Sequence, residues 1–203
     1  MVLIPVRNHR SRTPAPASDF CERGSLFQAP ISSDFFSGCS YIKNHGVPER
    51  VIDAGFAQAK RFFDLPEEEK MKIDIHKSAN MKGFTKLRGE NVDPANRGDM
   101  HEGFDIGPEQ DTWSSAKSGT DDPPAEANQW PAGLDDFKEP VQEYFNEVRA
   151  LGIRLFPFFA QALGLDKDFF TPHLKNPSAI MRLLYYPAQG GEVDERSLGI
   201  GQQ

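Results

Sequence analysis

One apolar stripe constrains what this chain can fold into more than any other feature of its sequence. Seven apolar residues recur at alternating intervals of four and three, the period of one helix face over about six turns. They are Phe137, Val141, Tyr144, Val148, Leu151, Leu155 and Phe158. Pro140 fits the first turn, Pro157 is expected to kink the far end, and Gly164 suits the C-terminal cap. The spacing predicts a core-facing helix over about 136–163, which needs a second layer to cover its stripe.

Other segments predict a mixture of helices and strands around this helix. Pro48-Glu49-Arg50 is a favourable helix start, and the apolar residues after it recur at three or four positions. Strands or short extended pieces are predicted at 2–6 (as an edge strand), 39–44, 83–85, 102–106 and 179–186. Residues 7–38 show no clean period, and the polar stretch 107–134 is expected to form a surface excursion or lid. The predicted fold class is α+β.

Charge and composition exclude several classes of protein. The 203 residues include 23 Lys and Arg against 30 Asp and Glu, a net charge of −7, which argues against a nucleic-acid interface. No apolar run approaches the roughly 20 residues of a membrane span, and the N-terminus lacks the order of a secretory signal. Two cysteines, Cys21 and Cys39, are too few for a disulfide framework. We expect a cytoplasmic protein that binds neither nucleic acid nor membrane.

The chemistry-bearing residues form no complete active site by themselves. No histidine has an acid two positions later, and no zinc, nucleotide or serine-nucleophile motif is present. The reverse order occurs once, as Asp99-x-His101, with Glu102 and Asp105 nearby. Such a cluster is more often a solvated loop or a capping network than a metal site. From the residues alone we therefore assign no catalytic residue and no metal ligand.

Six segments, taken in order, resemble one family. They are Tyr41–Pro48, Phe62–Lys70, Gly83–Thr85, Gly89–Pro94, His101–Gly107 and Arg182–Pro187. In sequence and spacing they are similar to the iron(II)/2-oxoglutarate-dependent dioxygenases of the isopenicillin N synthase type, and the Glu-Asn-Val-Asp-Pro stretch looks more like fungal members than plant ones. The resemblance covers about residues 39–201.

This resemblance implies a fold in which N-terminal helices and strands pack on a distorted jelly roll, the double-stranded β-helix. The domains it implies are an irregular segment 1–38, the non-haem dioxygenase N-terminal domain 39–178, with the lid 107–134 and the helix of about 136–163, and the first strand of the barrel with its continuation at 179–203. In the family, two histidines and one carboxylate hold Fe(II), and open positions take 2-oxoglutarate and oxygen. Here Leu198-Gly199-Ile200-Gly201 is followed by Gln202-Gln203, where the family pattern has its first iron ligands. We expect a truncated barrel, and a chain that by itself binds neither Fe(II) nor 2-oxoglutarate.

The resemblance also suggests candidate site residues, each with a structural alternative. Tyr186 matches a family position that often hydrogen-bonds the 2-oxoglutarate carboxylate, and its structural alternative is a half-buried strand tyrosine. Phe84 and Phe104 could wall a substrate pocket, although core packing is the commoner role of such rings. Arg88, like Arg97, lies in a loop that could reach an anionic substrate, and a solvated surface charge is its alternative. His45 is expected to shape a turn rather than to bind metal.

Two functions remain open at this point. The first is the N-terminal part of an oxidoreductase that hydroxylates, desaturates or cyclises a small organic molecule with Fe(II) and 2-oxoglutarate. The second is a non-catalytic binding or regulatory fragment, or a pseudoenzyme, which could self-associate through strands left unpaired. Whether the chain is itself an enzyme is left undecided by its sequence.

Overall fold

The computed structural model describes residues 2–6, 42–91, 97–109, 128–175, 177 and 179–188, and for residues 2–6 it describes the backbone alone. Its strands are β1 (Val2–Val6), β2 (Gly83–Thr85), β3 (Glu102–Ile106) and β4 (Met181–Tyr185). Its α-helices are α1 (Glu49–Phe63), α2 (Glu67–Lys70) and α3 (Lys138–Ala162), and its 3-10 helices are Met71–Ile73, Ile75–Lys77 and Thr171–Leu174. The predicted α+β class is confirmed.

The chain divides into two units. One comprises residues 1–8 and 47–203, and all the named helices and strands belong to it. The other comprises residues 9–46, of which 42–46 are described. There Asn44 and Gly46 have φ values of +54° and +79°, which is the turn expected around His45. Residues 42–44 are not a strand, so this part of the strand predicted at 39–44 is wrong, while 39–41 lie outside the described residues.

The four strands form one sheet in the order β1-β4-β3-β2. β1 runs parallel to β4, and β4 with β3 and β3 with β2 are antiparallel. The prediction of an edge strand at residues 2–6 is therefore confirmed. Because side chains alternate between the two faces of a strand, Phe84, Phe104 and Leu183 lie on one face, while Asp105 and Arg182 lie on the other.

The first of these faces carries the hydrophobic core. Phe62 of α1 has its ring 4.7 Å from that of Phe104, 5.9 Å from Phe84 and 5.6 Å from Phe137, and all four rings are 0% exposed. Helix α3 packs on α1, where Gly55 lets it come close: a Cβ at Gly55 would lie 3.1 Å from the Tyr144 ring. The core is thus an aromatic cluster between the sheet and two helices.

Only the first half of α3 faces this core. Val141 and Phe145 are buried, whereas Leu151 and Leu155 are half-buried and Phe158 is exposed. The prediction that the whole stripe is core-facing is therefore wrong for its far end. The physical reason is length, because a 25-residue helix extends about 37 Å whereas a five-residue strand spans about 17 Å. Among the described helices, none combines the length and hydropathy of a membrane span.

The ends of the predicted lid are held together. Asn128 accepts a 2.8 Å hydrogen bond from the Gly107 N–H and donates a 2.8 Å bond to the Gly107 carbonyl. Trp130 also donates its ring N–H to Glu109 at 2.9 Å. Residues 110–127 lie outside the described part of the chain, and so do 7–38, so the lid and the irregular N-terminal segment remain predictions.

A polar cluster as candidate functional site

Polar side chains collect on the sheet face opposite the core. Asp105 of β3 and Arg182 of β4 are directly paired in the register. Arg182 donates two hydrogen bonds to the Asp105 carboxylate, from Nε to Oδ1 at 2.7 Å and from Nη2 to Oδ2 at 2.6 Å. This bidentate geometry pairs a planar guanidinium with a planar carboxylate, which is the strongest arrangement for such an ion pair. The pair fixes the Arg182 side chain across the face.

A turn and the chain that returns from it bring three more polar residues onto this face. The backbone N–H of Arg88 donates to the Asp99 carbonyl at 3.0 Å, and the N–H of Asp99 donates to the Glu90 carbonyl at 2.9 Å. This pairing places Glu90 beside His101, with 3.6 Å between Glu90 Oε2 and His101 Nε2. The same Glu90 oxygen accepts a 2.8 Å hydrogen bond from Arg182 Nη1. Arg182 is therefore shared by two carboxylates.

The electrostatics of this cluster follow from its burial and its single guanidinium. Contact with His101, and then the charge of Arg182, hold the pKa of Glu90 below its ordinary value, against the opposing effect of burial. Burial raises the pKa of Asp105, even though Arg182 opposes that shift. The pKa of Arg182 is raised, mainly by its hydrogen bonds to Asp105. Glu90 and Arg182 thus stay charged at neutral pH.

A buried hydroxyl adjoins the cluster. Thr85 is paired with Gly103 in the sheet, and a Cβ at Gly103 would lie 3.7 Å from Thr85 Cβ and 3.8 Å from Arg182 Cδ. Thr85 Oγ1 is buried and, within the part of the chain that the structure describes, has no hydrogen-bond partner. An unsatisfied buried hydroxyl is uncommon, because its desolvation costs about 1–3 kcal/mol. Thr85 Oγ1 is therefore a buried polar atom that no described residue satisfies.

The cluster also contains a possible set of metal ligands. Ligand atoms of Glu90, Asp99 and His101 lie within 4.8 Å of one another, the one such group of three among the described residues. The family that the sequence resembles holds Fe(II) with two histidines and one carboxylate, whereas this group has one histidine and two carboxylates. Arg182 also already neutralises Glu90 at 2.8 Å, in the place where a cation would be needed. These residues therefore do not fit the family's iron.

The acidic cluster noted in the sequence is only partly as expected. Asp99, His101 and Asp105 do come together, but all three are buried, so the expectation of a solvated loop is wrong. Glu102 turns to the core face instead, where it accepts a 2.7 Å hydrogen bond from the buried Lys70. The alternation of strand β3 separates Glu102 from Asp105.

Tyr186 lies beside the cluster, with its ring 5.5 Å from that of His101. Its side chain is half-buried, and burial, with the negative charge of Asp99, raises the pKa of its hydroxyl. The hydroxyl therefore remains protonated and can donate a hydrogen bond at neutral pH. Its role toward 2-oxoglutarate stays a prediction.

The other candidate residues lie elsewhere. Phe84 and Phe104 are enclosed in the aromatic core, which is the structural alternative that the sequence left open, and their pocket role stays a prediction. Arg88 is exposed, has a φ of +60°, and places its Nε 3.2 Å from the Met100 sulfur. Arg97 is also exposed, and His45 is half-buried within the turn of the other unit.

Sequence reasoning assigned no role to Glu90, Thr85 or Arg182. A usable signal exists for two of them. Alternation along 83–85 places Thr85 opposite the face of Phe84, and alternation along 181–185 places Arg182 opposite Met181 and Leu183. Glu90 reaches the polar face only because the backbone of its turn is hydrogen-bonded to Asp99, and no local sequence pattern reveals that pairing.

Comparisons with known proteins agree along most of the chain. A family model described as the N-terminal region of the non-haem dioxygenase in morphine synthesis matches residues 35–133. The 2-oxoglutarate-Fe(II) type oxidoreductase hxnY of Emericella nidulans is 32% identical over 204 residues, covering 93% of this chain and 55% of that protein. The homoarginine-6-hydroxylase 2-ODD-C23 of Glycine max is 31% identical, covering 81% of this chain and 50% of that protein.

Solved structures give the same result. A protein of Caulobacter crescentus assigned to the 2OG-Fe(II) oxygenase family superposes with a TM-score of 0.58 at 27% identity, over 72% of this chain and 46% of that one. A full-length protein of Neurospora crassa, solved in complex with alpha-KG, superposes with a TM-score of 0.53 at 26% identity, over 71% and 43% of the two chains. The chain spans about half the length of the curated relatives it matches.

Proposed function

Since the chain belongs to the 2-oxoglutarate/iron(II)-dependent dioxygenase family, we propose that it supplies the N-terminal part of an oxidoreductase that acts on a small organic molecule. Hydroxylation, desaturation and cyclisation are the reactions we consider. The observation that carries the proposal is the agreement of sequence and fold with these oxygenases over more than two thirds of the chain.

The polar face of the sheet is the proposed contribution of these residues to the site. Thr85 Oγ1 and the Tyr186 hydroxyl are neutral groups that can hydrogen-bond a polar ligand, and Arg182 is held in place by Asp105. Small-molecule sites place a few polar groups like these on a mostly apolar wall. We propose that this face orients a ligand and excludes water around it, with Tyr186 as the candidate contact to the 2-oxoglutarate carboxylate.

Iron and 2-oxoglutarate supply the oxidising chemistry in proteins of this family. Because Glu90, Asp99 and His101 do not fit the iron, we assign these residues no part in holding it, and we propose that the chain by itself does not turn over 2-oxoglutarate. The alternative is a non-catalytic binding or regulatory fragment. The misfit of Glu90, Asp99 and His101 to the iron favours this alternative, because Arg182 already neutralises the Glu90 carboxylate.

We also propose a cytoplasmic location, without nucleic-acid or membrane partners. The acidic balance of 23 basic against 30 acidic residues supports the absence of a nucleic-acid partner. The small number of cysteines supports a reducing compartment.

One experiment separates the two candidate functions. The transcript is sequenced beyond codon 203, and any protein extended in that frame is assayed for succinate formed from 2-oxoglutarate with ferrous iron. The oxidoreductase proposal predicts an in-frame His-x-Asp, a later histidine, and succinate production that requires both. A stop codon directly after codon 203 in every transcript would contradict it and support the non-catalytic alternative.

A further inference from the structure

Exposed apolar side chains concentrate at one end of α3. Five large apolar residues within twelve positions are between 36% and 68% exposed, and we name them the α3-end patch: Phe158, Phe159, Leu163, Leu165 and Phe169. Elsewhere in the described residues, large exposed apolar side chains occur singly, at Ile42, Met81 and Ile180. Single exposed apolar residues need no explanation, but a contiguous group marks an interaction surface.

The patch has a defined shape. The ring of Phe156 lies 6.1 Å from that of Phe159 and 5.5 Å from that of Phe170, which in turn is 5.1 Å from Phe169. The N–H of Leu165 donates to the Ala160 carbonyl at 2.8 Å and holds the chain as it leaves the helix. These contacts fold residues 163–170 back against the end of α3, so the apolar side chains form a fixed surface.

A groove adjoins the patch and extends it. It has a volume of about 440 Å³ between the last turns of α3 and the 3-10 helix Thr171–Leu174. Its lining residues are Ile153, Arg154, Pro157, Thr171, Leu174 and Lys175. The apolar part of the surface is therefore larger than the patch alone.

The charges around this surface favour a second copy of the chain as the occupant. The charged residues around the patch and groove are three basic ones, Arg154, Lys167 and Lys175, and two acidic ones, Asp166 and Asp168. Their charges nearly cancel, whereas the whole chain has a net charge of −7. An acidic partner or an anionic membrane would call for a clear excess of positive charge. Two copies related by a two-fold axis can set the lysines of each against the aspartates of the other, away from the acidic remainder.

The available area sets the strength of such a contact. With roughly 150–250 Å² per large aromatic side chain, the exposed fractions of the patch amount to on the order of 400 Å² per copy. A stable interface buries about 800 Å² on each partner. The groove and the flanking charges have to supply the rest, so the expected dimer is weak and reversible.

We propose that the α3-end patch and its groove form a self-association surface between two copies of this chain. The proposal concerns the 203-residue chain by itself. It places the contact on the helix end rather than on the two edge strands, where β2 offers three residues for pairing and β1 offers five that include Pro5, which has no N–H to donate.

The test is sedimentation velocity of the full 203-residue chain over a range of concentrations. We expect a reversible monomer–dimer equilibrium in the micromolar range. Leu163→Asp places a charge at the most exposed position of the patch and should weaken the dimer by about tenfold or more. Met81→Asp, at a 55% exposed apolar residue two positions before β2, is the matched control and should leave the equilibrium unchanged.

Circular dichroism and thermal melting of each variant exclude misfolding as the cause, and Phe159→Asp repeats the test at a second position. A chain that stays monomeric at all concentrations would overturn the proposal. So would a dimer that Met81→Asp dissociates while Leu163→Asp and Phe159→Asp do not, because the contact would then lie at the strand edge.

Discussion

Phe104→Ala tests whether the aromatic cluster is the core of this fold or the wall of a pocket. The Phe104 ring is fully buried and lies 4.7 Å from Phe62, 5.7 Å from Phe137 and 6.3 Å from Trp130. Removing a buried Phe ring typically costs about 3–5 kcal/mol, because it loses transfer free energy and leaves a cavity. Three ring contacts, each contributing about 0.5–1.5 kcal/mol, place the expected loss near the upper end of that range.

The assay is urea unfolding at low protein concentration, followed by far-UV circular dichroism. Phe169→Ala, which removes the same ring from a 51% exposed site, is the control and should change the free energy of unfolding by less than about 1 kcal/mol. A loss below about 1 kcal/mol for Phe104→Ala would refute the core assignment. It would favour the pocket role, in which the ring faces a ligand and contributes little to folding.

The remaining predictions concern the polar face and one glycine. Arg182→Met leaves the Asp105 carboxylate buried without its partner and should lower the free energy of unfolding by about 3 kcal/mol, and adding Asp105→Leu should recover most of that loss. Contact with His101 and Arg182 lowers the pKa of Glu90, so its stabilisation is complete above about pH 4.3 and is lost as pH falls through the lower folded pKa. Glu90→Gln should therefore flatten the acid side of the stability–pH profile. Gly83→Ala should lose about 2 kcal/mol or more, because φ is +134° and an added Cβ collides with a neighbouring backbone carbonyl.

Urea unfolding measures each of these. A double variant no more stable than Arg182→Met alone would contradict the pairing of the two charges. If Glu90→Gln leaves the acid side of the stability–pH profile unchanged, a carboxylate other than Glu90 is responsible for the loss of stability at low pH. Wild-type stability in Gly83→Ala would contradict the backbone conformation at the start of β2.

Local periodicity predicted the elements that depend on local contacts. The start of α1 after Pro48 and the first half of α3 follow from capping and a three-to-four spacing, and the short extended piece expected at 102–106 is strand β3. The far end of α3 shows the limit of this reasoning. The stripe continues to Phe158, but the spacing cannot reveal where the opposing layer ends, and the sheet is shorter than the helix.

The polar face was predicted less well, for a physical reason. Asp99 and His101 stood out because they are close in sequence, whereas Asp105 and Arg182 are 77 positions apart and meet only through the register of β3 with β4. The family resemblance named Tyr186 on the same face, but not the network beside it. Contacts set by strand register are not written in any short segment of sequence.

Turnover of 2-oxoglutarate by the purified 203-residue chain tests most directly whether these residues hold iron. The chain is incubated with ferrous iron, ascorbate and 2-oxoglutarate, and succinate is compared with a protein-free control; binding of Mn²⁺ to the same chain is measured by calorimetry. We expect succinate at the level of the control. We also expect no Mn²⁺ binding that depends on His101, because Arg182 already neutralises Glu90. Succinate above the control, or tight Mn²⁺ binding that His101→Ala abolishes, would contradict these expectations.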